Sequence, residues 1–200
     1  MNDSFSIVGI GSSAGRLQVL KTLLALIPQD INAAFVLVPH LYAGHKSTLV
    51  EILAPFANLN MMWFENGLKI KPQNIYVIPE NTIMTVKNGL LSLRPRRTDE
   101  IVNTAVDVFF TSLAVDAENK AVGVVLSGCG QDGLTGSQAI SNNGGTVITQ
   151  EPNTAEFPFM PKALVTKDHP DYLLSPAEIA IKIAEHANRF CNDQSIGRLK

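Results

Sequence analysis

The 200 residues carry 46% hydrophobic and 17% charged side chains and a formal charge of −2, the composition of an ordinary globular protein. So balanced a charge gives no electrostatic reason to expect nucleic acid or an anionic membrane as partner. No apolar run reaches the roughly 18 residues of a membrane helix, and the start Met-Asn-Asp-Ser-Phe-Ser has no signal-like apolar stretch, so direct membrane insertion is not expected.

Residues 5–10 form a short apolar run bounded by glycine, which reads as a central strand buried on both faces. A helix is expected over residues 15–27, with Leu17, Leu20, Leu24 and Ile27 at helical spacing and Pro28 as its stop. Residues 33–39 are the second strand. Residues 47–56 are helical, with Leu49, Ile52, Leu53 and Phe56 on one face, and His45 near the start of that helix reads as a surface residue. Residues 61–98 then hold short strands added to the sheet edge. Among them 83–86 and 90–93 flank Asn88-Gly89, a strong hairpin-turn signal. Helical periodicity returns over 105–117 through Val106, Phe109, Phe110 and Leu113. A buried strand at 121–126, a helix at 135–142 and a strand at 145–149 follow. Ser175-Pro176-Ala177-Glu178 combines a capping box with proline at the first helical position. The fold class is therefore α/β: a doubly wound, mainly parallel sheet with helices on both faces and a short antiparallel hairpin element at an edge. One domain over residues 1–192 and a tail over 193–200 are expected.

Three strand ends carry chemistry. The turn Gly11-Ser12-Ser13-Ala14-Gly15 joins the first strand to a helix, Pro39-His40 ends the second, and Ser127-Gly128-Cys129-Gly130-Gln131-Asp132-Gly133 follows a third. In open α/β sheets ligands bind at the carboxyl ends of strands. A serine, a histidine and an aspartate there are the parts of a hydrolytic triad, recognised by role rather than chain order. Histidine titrates ordinarily near neutral pH, which suits a general base. Each residue also has a plainer use: Ser12 or Ser13 as a helix cap, His40 as a loop residue, Asp132 as a turn former. A nucleotide site is the rival of another kind. Gly9-x-Gly11-x-x-Ala14 lacks the acidic residue that the dinucleotide fingerprint needs on the next strand, whereas Gly128-x-Gly130-x-x-Gly133 has Glu151. Against the second match, Asp132 would face the pyrophosphate with like charge. If the strand order is 2-1-4, Asp132 and His40 stand about 10 Å apart. The imidazole must then lean across the serine strand, with Gly11, Gly128 and Gly130 leaving it room. Cys129 and Cys191 are far apart and show no metal spacing, so a disulfide-free cytoplasmic protein without a metal is expected.

These motifs make the chain resemble the catalytic domain of the CheB-type protein-glutamate methylesterases over nearly all 200 residues. The family's Gly-Ala-Ser-Thr/Ala-Gly-Gly turn appears as Gly11-Ser12-Ser13-Ala14-Gly15-Arg16, its Gln-His as Pro39-His40, and its Thr-Gly-Met-Gly-x-Asp-Gly as residues 127–133. Ala105-Val106-Asp107 is similar to its Ser-Val-Asp helix start, and Phe159-Met160-Pro161 to its Gly-Met-Pro segment. The resemblance implies Ser13 as nucleophile, His40 as base and Asp132 as its orienting acid, with backbone amides near Ala14 and Cys129 as oxyanion donors and no cofactor. It implies hydrolysis of glutamate methyl esters on cytoplasmic helices of chemoreceptor-type proteins, glutamine deamidation in some members, and a fused or separate methyltransferase as a further partner. Arg16 and Cys129 depart from the family pattern, in place of glycine and methionine. No counterpart of the family's receiver domain is expected within these 200 residues.

Overall fold

The computed structural model describes residues 5–41, 44 and 46–190. His45, Cys191 and the expected tail at 193–200 lie outside them. The strands are β1 (Ser6–Ser12), β2 (Ala33–Pro39), β3 (Asn60–Trp63), β4 (Asn74–Val77), β5 (Thr82–Lys87), β6 (Leu90–Pro95), β7 (Ala121–Val125), β8 (Thr146–Gln150) and β9 (Tyr172–Leu174). The helices are α1 (Arg16–Leu26), α2 (Leu49–Leu53), α3 (Ala105–Ala117), α4 (Leu134–Asn142), α5 (Phe159–Lys167) and α6 (Pro176–Arg189).

Seven strands form one sheet in the order β3-β4-β2-β1-β7-β8-β9, and every neighbouring pair is parallel. Burial on both faces explains why β1, β2 and β7 carry apolar residues in succession, with serines only at the two ends of β1, rather than alternating. The pleat sends successive side chains to opposite cores. Val8, Ile10, Phe35, Leu37, Val122 and Val124 meet α1 and α6. Ile7, Val36, Val38 and Val125 meet α3, α4 and α5. A doubly wound sheet follows, as the sequence implies.

The hairpin β5-β6 departs from the expected placement. It forms its own two-stranded sheet instead of extending the parallel one. Its inward side chains Ile83, Met84, Val86 and Leu91 share a core with α3 residues Val106, Phe109 and Phe110. The apolar stripe of α3 is thus covered by the sheet on one side and the ribbon on the other. Two apolar faces also shift. Leu17, Ile52 and Phe56 are exposed, while Val19, Leu20, Leu23 and Leu24 form the buried stripe of α1.

The contact that positions the site is between β1 and α3. A Cβ at Gly9 would stand 2.8 Å from Phe110 Cε1, and one at Gly11 would stand 2.5 Å from Val106 Cγ1. Bare backbone at these positions lets α3 lie close upon β1. Its first turn therefore sits over the carboxyl end of the sheet.

Candidate active site

Ser12 pairs with Pro39 at the ends of β1 and β2, and the His40 amide donates to the Ser12 carbonyl at 2.9 Å. Ser13 and His40 therefore leave neighbouring strands side by side. On the other flank the Ser13 amide donates to the Ser127 carbonyl at 3.0 Å. Ser12 is buried and its hydroxyl has no partner, whereas Ser13 is partly exposed. Of the two serines, only Ser13 can meet a substrate. The turn closes through Gly15, left-handed at φ 71°, which caps α1. Ser127 staples it from below: its hydroxyl donates to the Ala14 carbonyl at 2.9 Å and accepts from the Phe157 amide at 3.0 Å.

His40 Nε2 and Asp132 Oδ2 are 2.7 Å apart. Asp132 is 7% exposed, and its carboxylate accepts two further bonds: Oδ2 from the Val106 amide at 3.0 Å, Oδ1 from the Asp107 amide at 2.8 Å. Those amides are orphan donors of the first turn of α3, so the acid is fixed by a helix end as well as by the imidazole. With Nε2 turned to the carboxylate, Nδ1 is the ring atom left for a serine proton. The structure thus joins two of the three residues expected to converge. Ser13 Oγ makes no hydrogen bond among the described residues. Contacts to a nucleophile commonly tighten only around substrate.

The strand order β2-β1-β7 matches the arrangement that set His40 and Asp132 two strands apart. The gap is closed differently from the sequence expectation. The space beside the glycines is not what the imidazole uses: Val106 fills it at Gly11, and Met160 and Ser13 fill it at Gly128. Instead α3, seated on Gly11, carries the Asp132 anchor across the end of β1. Gly128 makes room for other neighbours, since its Cβ would collide with Met160 Sδ and stand 2.8 Å from Ser13 Cβ. Gly130, at φ 89°, faces open space.

Asp107 is the residue that sequence reasoning left without a role. Its Oδ1 accepts from the Gly133 amide at 2.9 Å and the Gly136 amide at 2.8 Å, capping α4. Asp132, just before α4, caps α3, and Asp107, within α3, caps α4. Burial foremost, and then the neighbouring Asp132 carboxylate, push the Asp107 carboxyl above its ordinary range, against the pull of those two amides. The available signal was Thr104-x-x-Asp107 before an apolar helix, which spells a local capping box. Thr104 makes no side-chain cap, and Asp107 reaches the next helix instead. The same contact removes the support for nucleotide binding at Gly128-x-Gly130-x-x-Gly133. The helix-end amides that would cradle a phosphate already hold a carboxylate.

The Ala14 and Cys129 amides donate no hydrogen bond among the described residues, and Cys129 is an exposed free thiol. Arg16 Nη1 donates to the Ser13 carbonyl at 2.8 Å and to the His40 carbonyl at 3.3 Å. A groove of about 760 Å³ lined by Val86, Val108, Val115 and Asp116 runs between α3 and the hairpin, apart from Ser13 and His40.

Comparison with known proteins agrees with this geometry. The family model for CheB methylesterase matches residues 8–183. The crystal structure of the Thermotoga maritima CheB methylesterase catalytic domain superposes with a TM-score of 0.82 at 30% identity, covering 91% of this chain and 98% of that one. A provisionally named Leptospira interrogans protein-glutamate methylesterase/protein-glutamine glutaminase is 30% identical over 88% of this chain and 92% of its own length. A Pseudomonas fluorescens protein-glutamate methylesterase/protein-glutamine glutaminase is 36% identical over 79% of this chain, which spans 47% of that relative. With its serine turn, histidine and aspartate on the strand ends where the resemblance placed them, this chain belongs to the CheB methylesterase family.

Proposed function

We propose that the chain hydrolyses glutamate methyl esters on cytoplasmic helices of chemoreceptor-type proteins, with Ser13, His40 and Asp132 as its catalytic residues. Ser13 Oγ attacks the ester carbonyl carbon while His40 Nδ1 takes the hydroxyl proton. Asp132, bonded to Nε2, orients the ring and stabilises the imidazolium. The Ala14 and Cys129 amides donate to the tetrahedral oxyanion. Its collapse expels methoxide, which leaves as methanol with the proton from His40. Water, deprotonated by the same nitrogen, then cleaves the acyl-enzyme and regenerates Ser13 and a glutamate carboxylate. A side-chain amide can follow the same path with ammonia as leaving group, so glutamine deamidation is a second activity. The methyl ester must come from a methyltransferase, fused or separate. Both enzymes then work where the receptor helices lie, in the cytoplasm. No described helix is long and apolar enough to cross a membrane.

The observation that carries this reading is the 2.7 Å contact between His40 and a doubly anchored Asp132, one strand from an accessible Ser13. The test is methanol release from a methylated receptor fragment. Ser13→Ala and His40→Ala should each lower kcat by about 10³-fold or more with melting temperatures close to wild type. A Ser13→Ala variant as active as wild type would overturn the assignment.

A further inference from the structure

Arg16 stands where the resemblance expects glycine, and its surroundings do not suit a merely structural cation. One terminal nitrogen, Nη1, bridges the carbonyls of Ser13 and His40. Nε is buried without a partner, and the other terminal nitrogen makes no hydrogen bond among the described residues. Among those residues Arg16 forms no ion pair with a carboxylate. The charge is thus half-buried beside the nucleophile turn, held by two neutral carbonyls and paired with no carboxylate among the described residues. Buried charge is ordinarily paired, because desolvation disfavours it; burial accordingly lowers the Arg16 pKa. The position makes matters worse for the helix, since Arg16 opens α1, where the macrodipole opposes a cation. The guanidinium also borders open space. With Gly15, Leu17, Gln18 and Glu156 it lines a cleft of about 420 Å³ beside the serine turn. Glu156 approaches Gly15 from the facing wall but forms no ion pair with Arg16.

We propose that Arg16 is a specificity-determining residue: its uncompensated guanidinium, clamped to the Ser13 and His40 turns, selects esters that lie beside a free carboxylate on the substrate polypeptide. The missing counter-ion arrives with the substrate. This deepens the esterase reading and rests on Ser13 as nucleophile. The bond to Ser13 and His40 carbonyls fixes the cation relative to the reacting ester, so the preference depends on where the carboxylate stands and not on net charge alone.

The test uses the full chain and two synthetic helical peptides. Each carries one glutamate methyl ester; one has free glutamate a helical turn away, the other glutamine there. Wild type should show a kcat/KM about tenfold higher for the acidic peptide, mainly through KM, roughly the effect of one partly desolvated charge pair. Added salt should compress that ratio. Arg16→Gln should bring the ratio close to one and abolish its salt dependence, whatever it does to the absolute rates. Arg16→Lys, which keeps the charge, should retain most of it. An active Arg16→Gln enzyme that loses equally on both peptides, with the ratio intact, would overturn the proposal and leave Arg16 a brace for the two turns. Should Arg16→Gln not fold, Arg16→Met takes its place, and a ratio left intact in that active variant would do the same. If wild type releases methanol from neither peptide, the esterase reading falls and takes this inference with it.

Discussion

Asp107 and Asp132 each satisfy the first turn of a helix with a carboxylate drawn from outside that helix's own cap. Removing the Asp107 side chain strands the Gly133 and Gly136 amides. Asp107→Ala should therefore destabilise the protein by about 2 kcal/mol in urea titrations. It should also lower kcat, because the freed loop carries Asp132. Asp107→Asn keeps an acceptor and should recover most of the stability. A variant with wild-type urea midpoint and Asp107→Ala would contradict the capping role. His40 and Asp132 were legible in the sequence because each follows an apolar run that could only be a buried strand. Asp107 was not, because its pattern matches a local cap as well as a cap between helices, and only the packing of α3 against α4 decides. Ser13 was separable from Ser12 by motif alone; burial now gives the physical reason.

At the level of elements, the seating of α3 on β1 is the joint on which the site depends. Gly11→Ala would press a methyl carbon 2.5 Å from Val106 Cγ1. It should cost about 1–3 kcal/mol, read from thermal or urea unfolding. Since the Val106 amide holds Asp132, kcat should fall together with stability. Unchanged activity in a destabilised Gly11→Ala protein would separate helix seating from the acid's position. The bounds of β2 and α3 could be read from the chain because strong periodicity and clear stops coincide there. Asn88-Gly89 likewise gives the turn it advertises, with φ of 53° and 69° and the Asp116 carboxylate accepting from both amides. Where that hairpin docks was not legible. Its apolar face fits a sheet edge or a helix equally, and the exposed width of α3 is a property of the assembled core. Helix α5 was not among the expected elements, and its sequence carries two prolines, Pro158 and Pro161. Yet Pro161 falls in the first helical turn, where no intrahelical N–H bond is lost. Strand β9, with three residues, is too short to show a period.

Across the whole molecule, α6 is tied to the central strand by a buried histidine. His186 Nδ1 lies 3.0 Å from Ser6 Oγ, and burial, reinforced by nearby Arg189, lowers its pKa to about 4 from 6.5. The folded state favours the neutral ring, so below pH 6.5 the unfolded chain gains a proton that the native chain refuses until about pH 4. This contribution is complete above pH 6.5 and disappears as pH falls to about 4; its size is about 3 kcal/mol at most. Urea midpoints measured across that window should fall with acidification, and His186→Gln should flatten the slope; an equal slope in the variant would assign the effect elsewhere. A different cooperativity follows from the crossed carboxylates at the opposite end of the sheet. Neither helix can fray at its start without releasing the other, so the amides of Val106, Asp107, Gly133 and Gly136 should exchange with deuterium as one set. Opening of that set would also detach the acid from His40, so the protein's esterase competence and the protection of four backbone protons should vanish together.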